Sequence, residues 1–312
     1  MPDLDLPGWL CAWCHLQLGA APAAVLHATS QQSEVFGLLL DDGRAVAVKR
    51  RPDPDRRVAA CLRAQAAAAA AGVACPRPLA STHEDGIAVH AEQWWPHGAL
   101  RIGDDLEHAA DSGSQYAVVC AALAQLGGPG ALPNPSWVRW DRPLPGPDGS
   151  DGSDGPDGPD DDVLAELGGM RARCATRLRE LTAQVGTSTD AAVHLDWESQ
   201  NLRWSGRRLV AVHDWDSVGF AAVAFAAGCA SSGFASSGAP DVASLAASAA
   251  FLNAFETGYP RRFTAAERQL AWAASLVTPL HNAVEELRRG RTPISCRKVL
   301  AQAGQRLRQA GG

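Results

Sequence analysis

The chain has 312 residues, which at about 150 residues per domain means two domains or one large two-lobed unit, and excludes a peptide hormone or a disulfide miniprotein. Apolar residues make up 46% and charged residues 20%, a globular composition, and a chain this long buries about three quarters of its unfolded surface without staples. The 28 basic residues against 34 acids leave a net charge of −6, which argues against a nucleic-acid partner and tolerates a cationic substrate. The opening Met1-Pro2-Asp3-Leu4-Asp5 has no basic segment and no apolar stretch, so no secretory signal is expected, and the cytoplasm is the expected location. The charge-free run from Ser217 to Pro240 is Ala, Gly and Ser rather than Leu, Ile and Val; it reads as a close-packed core segment and loop, with no membrane partner implied.

A first helix is expected from Trp9 to Leu18, stopped by Gly19, with Leu10 and Trp13 on its buried side. It contains Cys11-Ala12-Trp13-Cys14-His15, the C-x-x-C-H pattern of haem attachment. With no export signal and no second C-x-x-C, the eight scattered cysteines read instead as small buried residues in a reducing compartment. Val25-Leu26-His27 reads as a short strand before the polar turn Ser30-Gln31-Gln32-Ser33. Val35 to Leu40 and Ala45 to Lys49 are β-type runs flanking Asp41-Asp42-Gly43-Arg44, a strong hairpin signal. Ala-rich Val58 to Ala71 is a helix by propensity, ended by Gly72 and then Pro76 and Pro78. Ile87 to Ala91 is a further strand that runs into Glu92-Gln93-Trp94-Trp95. Helical spacing or composition then marks Gln115 to Leu126, Val163 to Leu181, Val242 to Tyr259, Thr264 to Arg288 and Ile294 to Gln309, around a short β element near Leu202 to Asp214. The fold class is α+β in two lobes: a small antiparallel sheet over 1–95 and a helix-rich part over 96–312.

Residues 145–162 form an acidic Gly/Pro/Asp-rich insert in which Gly recurs every third position. So few triplets with Asp in them cannot hold a collagen helix, and an EF-hand loop spaces its acids every second residue. The insert reads as a solvated, disordered loop dispensable for chemistry.

Chemistry concentrates in His194-Leu195-Asp196-Trp197-Glu198-Ser199-Gln200-Asn201 and His213-Asp214-Trp215-Asp216. Leu202 to Trp204 and Leu209 to Val212 are two strands joined at Ser205-Gly206, which brings Asn201 and Asp214 side by side at the open end of one hairpin. A carboxylate and an amide oxygen there make a hard, sparse cation site, suited to Mg2+ that completes its shell with water and nucleotide phosphates. Asp196, on the loop entering the hairpin, is placed to accept the proton of an attacking hydroxyl. Lys49 closes the alternating run Val46-Ala47-Val48-Lys49 and is the candidate anchor for α- and β-phosphate oxygens. Trp197, Trp204 and Trp215 read as core or cleft-wall residues.

These residues resemble the aminoglycoside phosphotransferase and choline kinase-like family, small-molecule relatives of the protein kinases. The family's H-G-D-x-x-x-x-N loop stands here as His194, Asp196 and Asn201, and its I-D-W-D segment as His213-Asp214-Trp215-Asp216. Its G-V-P-x-P-R-P-L connector stands as Gly72-Val73-Ala74-Cys75-Pro76-Arg77-Pro78-Leu79. The resemblance implies a protein kinase-like fold, Asp196 as catalytic acid/base, Asn201 and Asp214 as Mg2+ ligands, and Lys49 as phosphate anchor. It also implies His194 as a loop-holding residue, backbone near Glu92 and Trp94 facing the base of ATP or GTP, and Ser30 to Ser33 as the turn covering the phosphates. Asp216 and Glu198 are supporting or substrate-facing acids. The implied reaction is transfer of the γ-phosphoryl group to a hydroxyl of a small molecule.

The chain departs from the family pattern at several points. Leu195 replaces the glycine between His and Asp, the covering turn has no glycine, and the helix from Val58 has no acid to pair with Lys49. That missing acid motivates a second reading, a non-catalytic nucleotide-binding pseudokinase. A metal phosphohydrolase built on His194, His213 and Asp214 fits less well, because His213 ends a β-type run. H-R-D, D-F-G and A-P-E are absent, so a protein acceptor is not expected. For a cationic acceptor, Glu198, Asp216, Glu256, Glu285 and Glu286 are the candidate acids.

Overall fold

The computed structural model describes residues 6–30, 33–125, 134–141, 161–188, 190–236 and 241–312. Gly43, at φ +84°, turns the chain between β2 (Glu34–Leu40) and β3 (Ala45–Pro52), as the Asp-Gly signal predicts. With β1 (Pro22–Ser30), β4 (Pro78–Glu84) and β5 (Ile87–Gln93) they form one antiparallel sheet in the order β1-β2-β3-β5-β4. β4 is the strand of this sheet with no counterpart in the expected elements. It is a half-exposed edge opening on Pro78, and an edge strand lacks the apolar alternation that marks a buried one.

Alternation gives this sheet two different faces. Leu38, Leu40, Val46, Val48, Val89 and Ala91 face α1 (Gly8–Leu18), which buries Leu10, Trp13 and Cys14 against them and ends at Gly19 in the left-handed region. Cys14 is therefore a core residue, while Cys11 is exposed one turn away. The other face carries Ala47, Lys49 and Arg51, paired in register with Glu92, His90 and Ala88. α2 (Val58–Ala70) packs on that side through Val58 and Leu62 against Ala88. Its start is tied by Asp53, whose carboxylate accepts from the backbone N–H of Arg57 (2.7 Å) and Val58 (3.1 Å).

The rest is helical around two small β pairs. α3 (Leu106–Ala124) begins well before the expected Gln115, because Asp105 caps it by accepting from the N–H of His108 at 2.8 Å. α4 (Asp161–Val185) follows, and the bulk of the acidic insert, 145–160, lies outside the described residues. β6 (Asp190–His194) pairs with β9 (Val218–Ala222), and β7 (Leu202–Ser205) pairs with β8 (Arg208–Val212). Like β4, β6 and β9 have no counterpart in the expected elements. The charge-free run supplies β9 and α5 (Val223–Gly233), every residue of which is buried, as its small residues predict. α6 (Leu245–Gly258), α7 (Ala265–Ala274), α8 (Val277–Arg288) and α9 (Ile294–Gln309) complete the chain. The helix expected over 264–288 is two helices. Pro279 has no N–H, and its ring collides with the carbonyl four residues back, at Ser275, so the run must restart with Pro279 in a first turn. Among the described residues no helix is long and apolar enough to cross a membrane.

α3 and α6 cross closely because Gly113 faces Phe251: a Cβ on Gly113 would sit 2.2 Å from the Phe251 carbonyl oxygen. The crossing packs Tyr116 against Trp197, Phe251 and Phe255. Gly113→Ala is expected to lower unfolding stability in urea by about 1–3 kcal/mol despite the better helix propensity of alanine. Unchanged or higher stability would show that the two helices part freely.

Candidate active site

β6 delivers His194 to the centre of the helix-rich part, fully buried and edge-on to Trp215 at 5.4 Å. Its Nε2 bonds the His213 carbonyl at 3.0 Å, and its Nδ1 accepts from the Asp196 N–H at 3.3 Å. A carbonyl on one side and an N–H on the other fix the neutral tautomer with the proton on Nε2. Burial, the largest influence, pushes the His194 pKa down to about 4, so the ring stays neutral. Tyr116 donates its hydroxyl to the His194 carbonyl at 2.6 Å. His194 thus ties the loop at Asp196 to the end of β8.

The hairpin β7–β8 turns at Gly206, φ +59°, and its ladder extends past β7, with the His213 N–H donating to the Asn201 carbonyl at 2.8 Å. That bond sets Asn201 beside the backbone leading into Asp214. Asn201 Nδ2 donates to the Asp196 carbonyl (3.0 Å) and to its carboxylate Oδ2 (2.9 Å). Both partners accept, so the amide can only be oriented this way, and Oδ1 is the atom left to act as a ligand. Asp214 is held at φ +61°, ψ +50°, a left-handed conformation that costs a non-glycine residue about 1–2 kcal/mol. The strain turns its carboxylate, 41% exposed, toward the ammonium of Lys49 at 3.6 Å.

Lys49 comes from β3 and is buried. Its Nζ lies 3.1 Å from Glu92 Oε1, on β5. Burial opposes the charge on Lys49, but Glu92 and then Asp214 outweigh it, holding the ammonium above its ordinary range. Burial likewise opposes ionisation of Glu92, and Lys49 with the amide of Gln65 overcomes it, holding that carboxyl below its usual range. The acid on the loop behaves in the opposite way. Burial, then the charge of Asp214, push Asp196 up to about 7, against the bond from Asn201. Glu198, where burial and Asp196 act together, is pushed well above the carboxylate range, with Gln200 Nε2 at 2.8 Å from its Oε2.

The remaining expected residues are placed as follows. Ser30 ends β1 opposite Glu34 and Ser33 precedes β2; Gln31 and Gln32 lie outside the described residues. Trp94 continues β5, its N–H donating to the Ala45 carbonyl at 3.1 Å, and its indole lies over Gly37 on the face that carries Ala47 and Lys49 and meets Asp214, the cleft face; a Cβ on Gly37 would be 2.6 Å away. Glu92 turns its side chain to Lys49. The buried carboxylate of Asp216 is bound by Arg51, two residues beyond Lys49 on the same strand. Glu256 pairs with Arg268 at 2.9 Å, Glu285 with Arg289 at 2.9 Å, and Glu286 accepts from the N–H groups of Ser295 and Cys296 at the start of α9. Of the five acids expected to meet a cationic acceptor, only Glu198 stands beside Asp196. Trp197 and Trp215 are core residues, donating to Ser112 (2.9 Å) and the Val212 carbonyl (2.8 Å). Gln65 and Arg51 are site residues that motif reading misses; their signal is weak, a lone buried amide in an alanine helix and a second cation two residues past the lysine.

Among the described residues, no group of three or more His, Cys, Asp or Glu is poised as a metal cage. An amide oxygen and carboxylates with no sulfur or imidazole are a hard donor set, which fits Mg2+ shared with a phosphate rather than a resident transition metal.

Residues 26–288 match the model of the phosphotransferase enzyme family, APH, and the chain belongs to that family. The fold is that of kinase-like solved structures. It is similar to the amicoumacin kinase hAmiN in complex with AMP-PNP, Ca2+ and Ami, at TM-score 0.62 and 10% identity over 92% of this chain and 88% of the other. A thermostable mutant of aminoglycoside phosphotransferase APH(4)-Ia, in ternary complex with ADP and hygromycin B, matches at TM-score 0.59 and 16% identity over 97% and 99%. The macrolide 2'-phosphotransferase MphH from Brachybacterium faecium matches at TM-score 0.54 and 18% identity over 95% and 98%. A search of curated protein sequences gave no match.

Because the Asp196 carboxyl is raised from 3.8 to about 7, the folded chain disfavours its ionised form, and the penalty grows as pH rises through that window. Without divalent ions, Asp196→Asn is expected to be more stable than wild type by about 1–3 kcal/mol at neutral pH, the gap closing toward pH ~4. A variant less stable than wild type at neutral pH would contradict the raised carboxyl.

Proposed function

We propose that the chain is a small-molecule kinase that transfers the γ-phosphoryl group of ATP or GTP to a substrate hydroxyl. The observation that carries this reading is the meeting of Lys49 with Asp214 at 3.6 Å, beside an Asn201 amide locked onto Asp196. Phosphoryl transfer asks mainly for positioning and charge neutralisation, and these four residues supply both. Lys49 holds α- and β-phosphate oxygens. Asn201 Oδ1 and the Asp214 carboxylate would hold Mg2+, which would supply charge neutralisation to the phosphates. Asp196 accepts the proton of the acceptor hydroxyl as its oxygen bonds to the γ-phosphorus and the bond from that phosphorus to the β-phosphate oxygen breaks, releasing nucleoside diphosphate. The Asn201 amide bonded to its Oδ2 orients the Asp196 carboxyl for this role.

The acceptor belongs among hydroxylated small molecules. Solved relatives of this fold carry names that include amicoumacin, hygromycin B and macrolides, which supports antibiotics or amino alcohols as the first compounds to test. The pseudokinase reading rests on the missing helix acid, and Glu92 gives Lys49 a carboxylate from another element.

Nucleoside-diphosphate release, screened over hydroxylated antibiotics and metabolites with Mg2+, tests the proposal. Wild type is expected to turn over at least one acceptor, and Asp196→Ala and Asp214→Ala to lower kcat by about a hundredfold or more. Turnover that both substitutions leave intact would remove the assigned roles.

A further inference from the structure

Lys49 is one of only two lysines among 28 basic residues; the other is Lys298, which pairs with Asp241 at the surface. In a chain that otherwise uses arginine, the ammonium at 49 is set between two carboxylates. One of them, on Asp214, belongs to the segment that carries the chemistry. The other cannot come from α2, because no acid occurs between Val58 and Ala70. It comes from β5. In the antiparallel pairing of β3 and β5, Ala47 stands opposite Glu92 and Lys49 opposite His90, so Glu92 is the diagonal neighbour of Lys49 on the cleft face. Diagonal neighbours are within reach of long side chains, and Glu92 Oε1 closes on Nζ at 3.1 Å.

α2 contributes an amide instead. Gln65, fully buried, donates Nε2 to the Pro76 carbonyl at 2.9 Å and to Glu92 Oε2 at 2.8 Å. Rotating that amide would set its oxygen against the Pro76 carbonyl, so the orientation is fixed and Gln65 presents a donor to Glu92. We infer that Glu92 is the positioning residue for Lys49, that Gln65 holds Glu92 in place, and that the lysine is therefore set by sheet register rather than by docking of a helix carboxylate. Both members of the pair sit on hydrogen-bonded neighbouring strands, whose spacing does not change when a helix shifts. For catalysis the inference rests on the phosphotransfer reading; for the pairing itself it does not.

The isosteric variant Glu92→Gln and the exchange Glu92→Gln/Gln65→Glu test it, both compared with wild type after circular dichroism confirms folding. Lys49 and Lys298 are acylated with limiting reagent and quantified by mass spectrometry, Lys298 serving as internal standard. Glu92→Gln is expected to raise the ratio of Lys49 to Lys298 labelling about fivefold or more, because an amine released from a buried ion pair becomes reactive. It is also expected to lower kcat by about tenfold or more while nucleotide KM moves less than about threefold. The exchange, which restores a carboxylate to the cluster, is expected to bring both readouts back toward wild type. A Glu92→Gln labelling ratio within about twofold of wild type, or an exchange no closer to wild type than the single variant, would overturn the inference. The labelling arm reads the pair even where no acceptor is phosphorylated, so failure of this inference and failure of the phosphotransfer reading give different results.

Discussion

The architecture depends on one buried ammonium. Lys49 is the point where the sheet and the helix-rich part meet through charge, with Glu92 from the strand beside it and Asp214 from the far side of the cleft. Desolvation offsets much of the attraction in such a buried pair, but removing one partner leaves an uncompensated buried charge and is strongly destabilising. Arg51 repeats the arrangement two residues along β3 by binding Asp216, so two successive cleft-facing cations of one strand grip two acids of one segment. The Arg57 guanidinium adds a bond to the Val218 carbonyl at 2.7 Å. These charge and hydrogen-bond contacts add to the apolar packing through which Cys61, Ala64 and Ala68 of α2 join the core of the helix-rich part.

Opposite the sheet, precision comes from backbone bonds. His194 reads an N–H with one ring nitrogen and a carbonyl with the other, and burial keeps it neutral, so it serves as a rigid strut. The close crossing of α3 and α6 sets Tyr116 against the carbonyl of that strut. Asp214 stores backbone strain and Asp196 stores electrostatic strain, and both costs are borne by the packed helices beneath them. On the proposed function, each local cost is offset when a cation and a phosphate bind.

Much of this was legible in the residues alone. The Asp-Gly hairpin, the alanine helix, the β7–β8 turn and the order Asp196, Asn201, Asp214 carry their own local signals, and each lies within a span of a few residues. What was not legible depended on distant pairing. β4 and β6 carry little apolar alternation and become strands through pairing with β5 and β9. Glu92 belongs to Lys49 only through the β3–β5 register, and Asp216, Glu256 and Glu286 are spoken for by Arg51, Arg268 and the start of α9, partners that no spacing rule supplies. The split of the 264–288 helix was readable from Pro279, whose effect falls four residues upstream.

The most direct test of the account is a crystal structure of the chain with a non-hydrolysable ATP analogue and Mn2+ as an anomalously scattering stand-in for Mg2+. The account predicts an anomalous peak within about 2.5 Å of both Asn201 Oδ1 and an Asp214 oxygen, with Lys49 Nζ in hydrogen-bond reach of a phosphate oxygen and still paired to Glu92. A nucleotide bound away from Lys49, or a metal peak that touches neither Asn201 nor Asp214, would contradict it.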